Sequence, residues 1–253
     1  SLLTQLVGSE DRDKIFARLP DDCKRDIEPF KSSSLTSSHD VKPLKTEGQP
    51  LVHVVGNFPD WLLQCFMIAV GQIRGRPLCD IFKALKWLVF TKDTAFARHI
   101  LPHAIIAVAV MEGHEETLKK YAAEMIAVLK NTMKPESASW VRLAAHVVFS
   151  CIDVLERFAV HRRKRRGKDD KELDRCRDLI TRVCSEKYED GQLLVVAAAE
   201  KCQCLLRALR WCEQFAIPTG APFDRSPYYT LERLYMQLTD VDGVAGAFES
   251  IAM

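Results

Sequence analysis

His99 and His103 stand four residues apart, the spacing that sets two imidazoles on one face of a continuous helix and lets them grip a metal ion. Pro102 falls between them and no Glu follows His99, so the zinc-peptidase pattern is missing. A metal site needs convergent partners, and the pair reads as structural, hydrogen-bonded histidine; a metal-dependent enzyme is the least favoured alternative. The strongest charge feature is His161 to Lys168, HRRKRRGK, where Arg162, Arg163, Lys164, Arg165, Arg166 and Lys168 form a candidate contact patch for phosphates or an import signal. A basic helix end favoured by the helix dipole explains the same run. Asp169, Asp170, Glu172 and Asp174 follow and partly neutralise it, and no aromatic residue interleaves to stack on bases.

Nucleophile chemistry has no foothold. There is no Gly-x-Ser-x-Gly elbow, Cys184 has no His beside it in sequence, and no Gly-x-Gly occurs to cradle a phosphate. Cys202-x-Cys204 alone is neither a zinc nor a redox spacing. No catalytic, cofactor-binding or metal-binding residue is assigned. The nine cysteines are an odd number and mostly sit in apolar runs, as buried free thiols do in a reducing compartment. Trp61, Trp87, Trp140 and Trp211 fall at helical positions and read as core.

The elements that carry these residues are helical almost throughout, with no sustained alternation and no Asn-Gly hairpin signal. A short helix is expected from Glu10 to Leu19, stopped by Pro20, with a further turn or two over Asp21 to Pro29. Lys31 to Gln49 is rich in Ser and Lys and reads as a mobile loop. Asn57 and Pro59 open a helix running to about Arg74, and Pro77 opens another through Ile81, Leu85 and Leu88. The next starts at Thr91 or Asp93, where Pro102 must kink or split it. Glu115 to Lys130 carries Leu118, Tyr121, Ala122, Met125 and Leu129 at amphipathic spacing.

Ser137 or Ser139 caps a long helix leading into the basic run. Asp169 to Cys184 is a polar helix or a part-ordered connector. Gln192 to Phe215 reads as one long helix with Leu194, Ala198, Cys202, Leu205, Leu209 and Cys212 as its stripe. Ser226 and Pro227 open a helix to about Leu238, and Asp240 caps the last one, through Phe248.

About ten helices in hairpins of roughly 35 to 45 residues, without strict self-similarity, define an all-α fold: an α-solenoid of irregular HEAT- or tetratricopeptide-like hairpins. The expected division is 1–30 for the end of upstream helical repeats, 31–56 for a loop, 57–168 for HEAT-like repeats, 169–190 for a connector and 191–253 for a last helical block. With 253 residues, 36 Lys plus Arg against 34 Asp plus Glu and 47% hydrophobic residues, composition excludes a disordered or collagen-like chain and gives no whole-surface attraction to nucleic acid or membrane. The longest uncharged stretches, Trp61 to Ile73 and His99 to Met111, are about 13 residues, short of a bilayer span. The start, SLLTQLVGSEDRDK, is no signal peptide and lacks an initiator Met, so a piece of a longer solenoid is expected, with apolar cut faces that make it sticky. Such a solenoid works by surface, which makes an interaction or scaffold protein the expected class.

The end of the chain, LERLYMQLTDVDGVAGAFESIAM, resembles a signature in the FAT region of the phosphatidylinositol-3-kinase-related kinases, centred on Asp242-Gly243-Val244-Ala245-Gly246. An Asp at 240 or 242 caps the following helix, and Gly243 and Gly246 permit close helix approach. HILPHAIIAVAV (99–110), YAAEMIAVLKN (121–131), LPDDCKRDIEP (19–29), NFPDW (57–61) and LLVVAAAEKCQCLLRALRWCEQF (193–215) are similar, in matching order, to the ATR-type DNA-damage checkpoint branch of that family.

The resemblance implies a nuclear Ser/Thr kinase whose HEAT solenoid precedes FAT and kinase domains, with 191–253 as the start of FAT. It implies ATP and Mg as cofactors of the parent kinase, none of them in this segment. It implies an ATRIP-like partner, intramolecular contact with the FAT and kinase regions, a possible homodimer, DNA reached mostly indirectly, and no membrane. No catalytic residue of the family maps onto this chain. The expected function is therefore a non-catalytic scaffold linking the HEAT solenoid to the FAT–kinase region of a replication-stress checkpoint kinase. The alternative is a stand-alone helical-repeat module that binds nucleic acid or protein through 161–168.

Overall fold

Apolar residues three and four apart place one stripe of each helix against its neighbours, and the fold follows from how those stripes are shared. The structure, a computed structural model, describes residues 20, 21, 24, 44, 48–74, 79, 81, 82, 85, 94–166, 171–188, 191–216 and 226–252. The expected helices over 10–19 and 21–29, the body of the 31–49 loop, Trp87, Leu88, Cys23 and residues 167–170 lie outside or mostly outside these. Among the described residues, those within 1–45 and 59–108 form one unit, and those within 46–58 and 109–253 form another. Nine helices and no strand are found among the described residues.

The first unit holds α1 (Phe58–Gln72), with Pro59 in its first turn as the sequence predicts, and α2 (Thr94–Ala109). Trp61, Leu62, Phe66, Ala69 and Val70 of α1 are buried, and Phe66 meets the ring of Phe82 with centroids 6.4 Å apart. Gln64 accepts the backbone N–H of Leu44 on its side-chain oxygen at 2.7 Å. Ala97, Leu101, Ala104, Ile105 and Val108 form the buried stripe of α2. Pro102 lies inside this helix and does not split it; the lost amide bond is tolerated in a helix whose apolar face is buried around it.

Among the described residues, the second unit is a run of helices that pack mainly on helices one to three places along the chain. They are α3 (Glu115–Met133), α4 (Ser139–Arg166), α5 (Lys171–Cys184), α6 (Leu194–Lys201), α7 (Leu205–Trp211), α8 (Ser226–Leu238) and α9 (Val241–Ala252). Helix α3 packs on α4, α5 and α6; beyond that, α6 meets α7, α7 meets α8 and α8 meets α9. Such short-range packing is the defining property of an α-solenoid. The α3 stripe is as the spacing predicts, with Leu118, Tyr121, Ala122, Met125 and Leu129 all buried.

Four local expectations are corrected. The 31–56 loop ends in an ordered 3-10 turn, Leu51–His53, whose Leu51 and Val52 are buried. Its first two amides donate to the carboxylate of Glu124 on α3: Leu51 N to Oε2 at 2.5 Å and Val52 N to Oε1 at 2.9 Å. A negative side chain thus satisfies the orphan donors of a helical turn from 73 residues away. Segment 171–184 takes the helical alternative and is no part-ordered connector, because Leu173, Cys176, Leu179, Ile180, Val183 and Cys184 make a buried apolar stripe along an otherwise polar helix. A tight loop follows, with Gly191 at φ 75° and Tyr188 N donating to Gln192 O at 2.7 Å. Ser137 does not cap α4: its hydroxyl is buried with no hydrogen-bond partner among the described residues, and Ala138 O accepts the first amide, from Val141, at 2.9 Å.

The fourth correction concerns 192–215, which is two helices and not one. Gln203 takes the left-handed conformation, φ 60°, and Cys204 N donates back to Ala199 O at 2.8 Å, closing α6 as a left-handed cap does. The stripe therefore changes phase: Cys202, Leu205 and Leu209 are only half-buried, while Ala208 and Trp211 are fully enclosed. A π-helical turn, Cys212–Ala216, continues α7.

Candidate functional site

Helix α4 is the spine on which the polar features of the second unit meet. One face buries Phe149, whose ring lies 5.3 Å from that of Trp211 on α7, both fully enclosed. Beside this apolar pair, Asp153 binds two cations of α7. Arg207 donates from Nε to Oδ2 at 3.0 Å, and Arg210 from Nη1 to Oδ1 at 3.1 Å. One turn on, Glu156, only 8% exposed, pairs with Arg210 and accepts from Gln214 Nε2 at 3.1 Å. Spacing of three or four residues on both helices aligns these partners, so the seam is built by helix periodicity and fixes the register of α7 on α4.

A second seam ties α6 to α8: Arg233 donates to Glu200 Oε2 at 2.8 Å, and Gln237 to Oε1 at 3.3 Å. Tyr235 of α8 donates its hydroxyl to Glu213 Oε1 at 2.5 Å. That bond to a carboxylate, with some burial, pushes the phenol up to about 12. Where the chain returns into this unit, Arg175 of α5 donates to Ala109 O and Val110 O at 2.8 and 3.1 Å.

The basic run ends α4. Arg162 is engaged, paired with Glu172 of α5 and standing 5.7 Å from the centroid of the Phe158 ring. Its charge is thus already used within the fold. Arg163 and Lys164 are exposed. The backbone of Arg165 and Arg166 completes the helix, and Lys168 lies outside the described residues.

His99 and His103 share a face of α2, both exposed, with ring centroids 5.7 Å apart. Among the described residues no group of three potential ligands gathers to hold a metal ion, and no helix is long and apolar enough to cross a membrane. Trp61 and Trp211 are core, whereas Trp140 is only half-buried.

The Asp242–Gly246 segment is built as the residues require. Asp240 caps α9, its Oδ1 accepting from Gly243 N at 3.0 Å. Gly243 lies against Tyr235 of α8, where an added Cβ would sit 2.6 Å from Cε1 of the ring. Among the described residues, nothing lies within 4 Å of such a Cβ at Gly246. Only the first glycine is thus needed for close approach, which corrects the reading of both. Sequence alone also missed the pairing of Cys204 with His146. Cys204 Sγ lies 3.5 Å from His146 Nδ1, a contact between residues 58 apart that no local spacing announces.

These features define an all-α solenoid segment whose described polar side chains join helix to helix. Residues 48–253 match the M-HEAT region of Serine/threonine-protein kinase ATR, and the chain belongs to that family. The matched span includes 191–253, the part expected from sequence to open FAT. No curated protein and no solved structure matches the chain.

Proposed function

We propose that this chain is a non-catalytic scaffold segment of an ATR-like Ser/Thr checkpoint kinase, carrying position from the HEAT solenoid towards the FAT–kinase region. The observation that supports this reading is the family match over 48–253 on a helix array in which each helix packs on others one to three places along the chain. Such an array transmits a displacement along its length, because each interface constrains the next. The α4–α7 and α6–α8 seams are the joints that resist slippage. In this reading the segment adjoins the FAT region at its C-terminal end, works in the nucleus, and reaches DNA through an ATRIP-like partner and not through its own basic run.

Incubation of the chain with ATP, Mg and a peptide substrate tests the non-catalytic part. No phosphate transfer is expected, and transfer that persists after removal of contaminating kinases overturns it. Titration with single-stranded DNA tests the direct alternative. Binding that falls steeply with salt and is lost in Arg163→Ala/Lys164→Ala would favour a nucleic-acid module instead.

A further inference from the structure

Most described cysteines are sealed in the core: Cys65, Cys151, Cys176, Cys184 and Cys212 are buried. Burial pushes the Cys151, Cys184 and Cys212 thiols up to about 12, which keeps them protonated and inert. Cys202 and Cys204 differ. Both are part-exposed, and they flank Gln203, a non-glycine residue held at φ 60° in the turn between α6 and α7. Cys204 Sγ folds back to 3.8 Å from Cys202 O on one side and 3.5 Å from His146 Nδ1 on the other. His146 and Arg142 lie four apart on α4; burial and then the neighbouring Cys204 raise the Cys202 thiol, which Arg142 offsets only in part, so Cys202 is the thiol that keeps its proton until the second step.

We propose that Cys202 and Cys204 form a hydroperoxide-reactive dithiol in which Cys204, with His146 as its base, attacks, and Cys202 resolves. The chemistry balances in two steps. His146 Nδ1 takes the Cys204 proton. The thiolate sulfur attacks one oxygen of the peroxide, forming S–O as O–O breaks, and the departing hydroxide takes the proton back from His146 and leaves as water. The sulfur is oxidised by two electrons to sulfenic acid while the peroxide is reduced. The Cys202 sulfur then attacks that of Cys204. S–S forms, S–O breaks, and the hydroxyl leaves as a second water with the Cys202 proton. The product staples the turn that joins α6 to α7. Cys79, also part-exposed, serves as an internal reference.

The test is oxidation of the reduced 253-residue chain with stoichiometric hydrogen peroxide, followed by tryptic mass spectrometry. Cleavage after Lys201 and Arg207 isolates CQCLLR, in which both thiols report together. The expected result is loss of two hydrogens from this peptide before Cys79 is modified. In Cys202→Ser a sulfenic acid trapped by dimedone should appear on Cys204; in Cys204→Ser no trapped adduct should form. An isolated thiol is only a few per cent thiolate at neutral pH, so His146→Gln should slow the reaction about tenfold. Oxidation of the folded chain no faster than in the urea-unfolded chain overturns the proposal, with no variant needed. So does His146→Gln reacting at the wild-type rate with an unchanged circular dichroism spectrum.

Discussion

Glu124 offers the sharpest test of how this solenoid is tied together. Its carboxylate, 7% exposed, accepts the amides of Leu51 and Val52, which are themselves 3% and 4% exposed. Glu124→Ala leaves two buried donors without a partner. Each such group costs about 1–3 kcal/mol, and partial entry of water keeps the sum near 3 kcal/mol. Glu124→Gln retains one acceptor but turns an amide NH2 towards the other donor, so about half that loss is expected. Because the chain folds as more than one unit, a local probe is preferable to a single melting temperature. Amide hydrogen exchange at Leu51 and Val52 should accelerate about a hundredfold in Glu124→Ala, since each 1.4 kcal/mol is a factor of ten. Exchange in α8 and α9 should not change. Unaltered protection at Leu51 and Val52 would refute the reasoning, because the capping carboxylate would then contribute nothing.

The two glycines of α9 should respond in opposite directions. Gly243→Ala drives a methyl into the Tyr235 ring, which its bond to Glu213 holds in place, and should destabilise by about 1–3 kcal/mol. Gly246→Ala meets nothing and should stabilise by about 0.5–1 kcal/mol, both read by urea denaturation. Asp153→Ala removes the shared partner of Arg207 and Arg210 and should cost about 1–3 kcal/mol. Addition of salt should narrow the gap between Asp153→Ala and wild type, because the arginines are part-exposed. Tyr235 keeps its proton towards about 12 against an ordinary value of 10.0, so its bond to Glu213 contributes below pH 10 and is lost as pH rises towards 12. Glu213→Gln should bring the transition back down, seen as tyrosinate absorbance in difference against Tyr235→Phe.

Local patterns reported well where one stripe served one helix. The α3 stripe and the Asp240 cap were legible because each rests on residues within a turn of one another. The break at Gln203 was not, since a left-handed residue that is not glycine leaves no breaker in the sequence and is imposed by packing on either side. The 171–184 helix was underestimated for the opposite reason: its charges dominate the average while its six apolar residues keep helical period. Polar contacts across long separations were hidden altogether. Glu124 with Leu51, Asp153 with Arg207, and His146 with Cys204 depend on which helices become neighbours, and one sequence carries no record of that.

The central claim is that this segment carries position between regions of a larger kinase. Its most direct test is activator-stimulated phosphate transfer by the full-length parent kinase with the matched substitutions Gly243→Ala and Gly246→Ala. Gly243→Ala, which disturbs the α8–α9 joint, should lower stimulated activity while basal activity and partner binding remain. Gly246→Ala should behave as wild type. Equal, undiminished stimulation in both variants, with the Gly243→Ala joint shown to be loosened by hydrogen exchange, would contradict it.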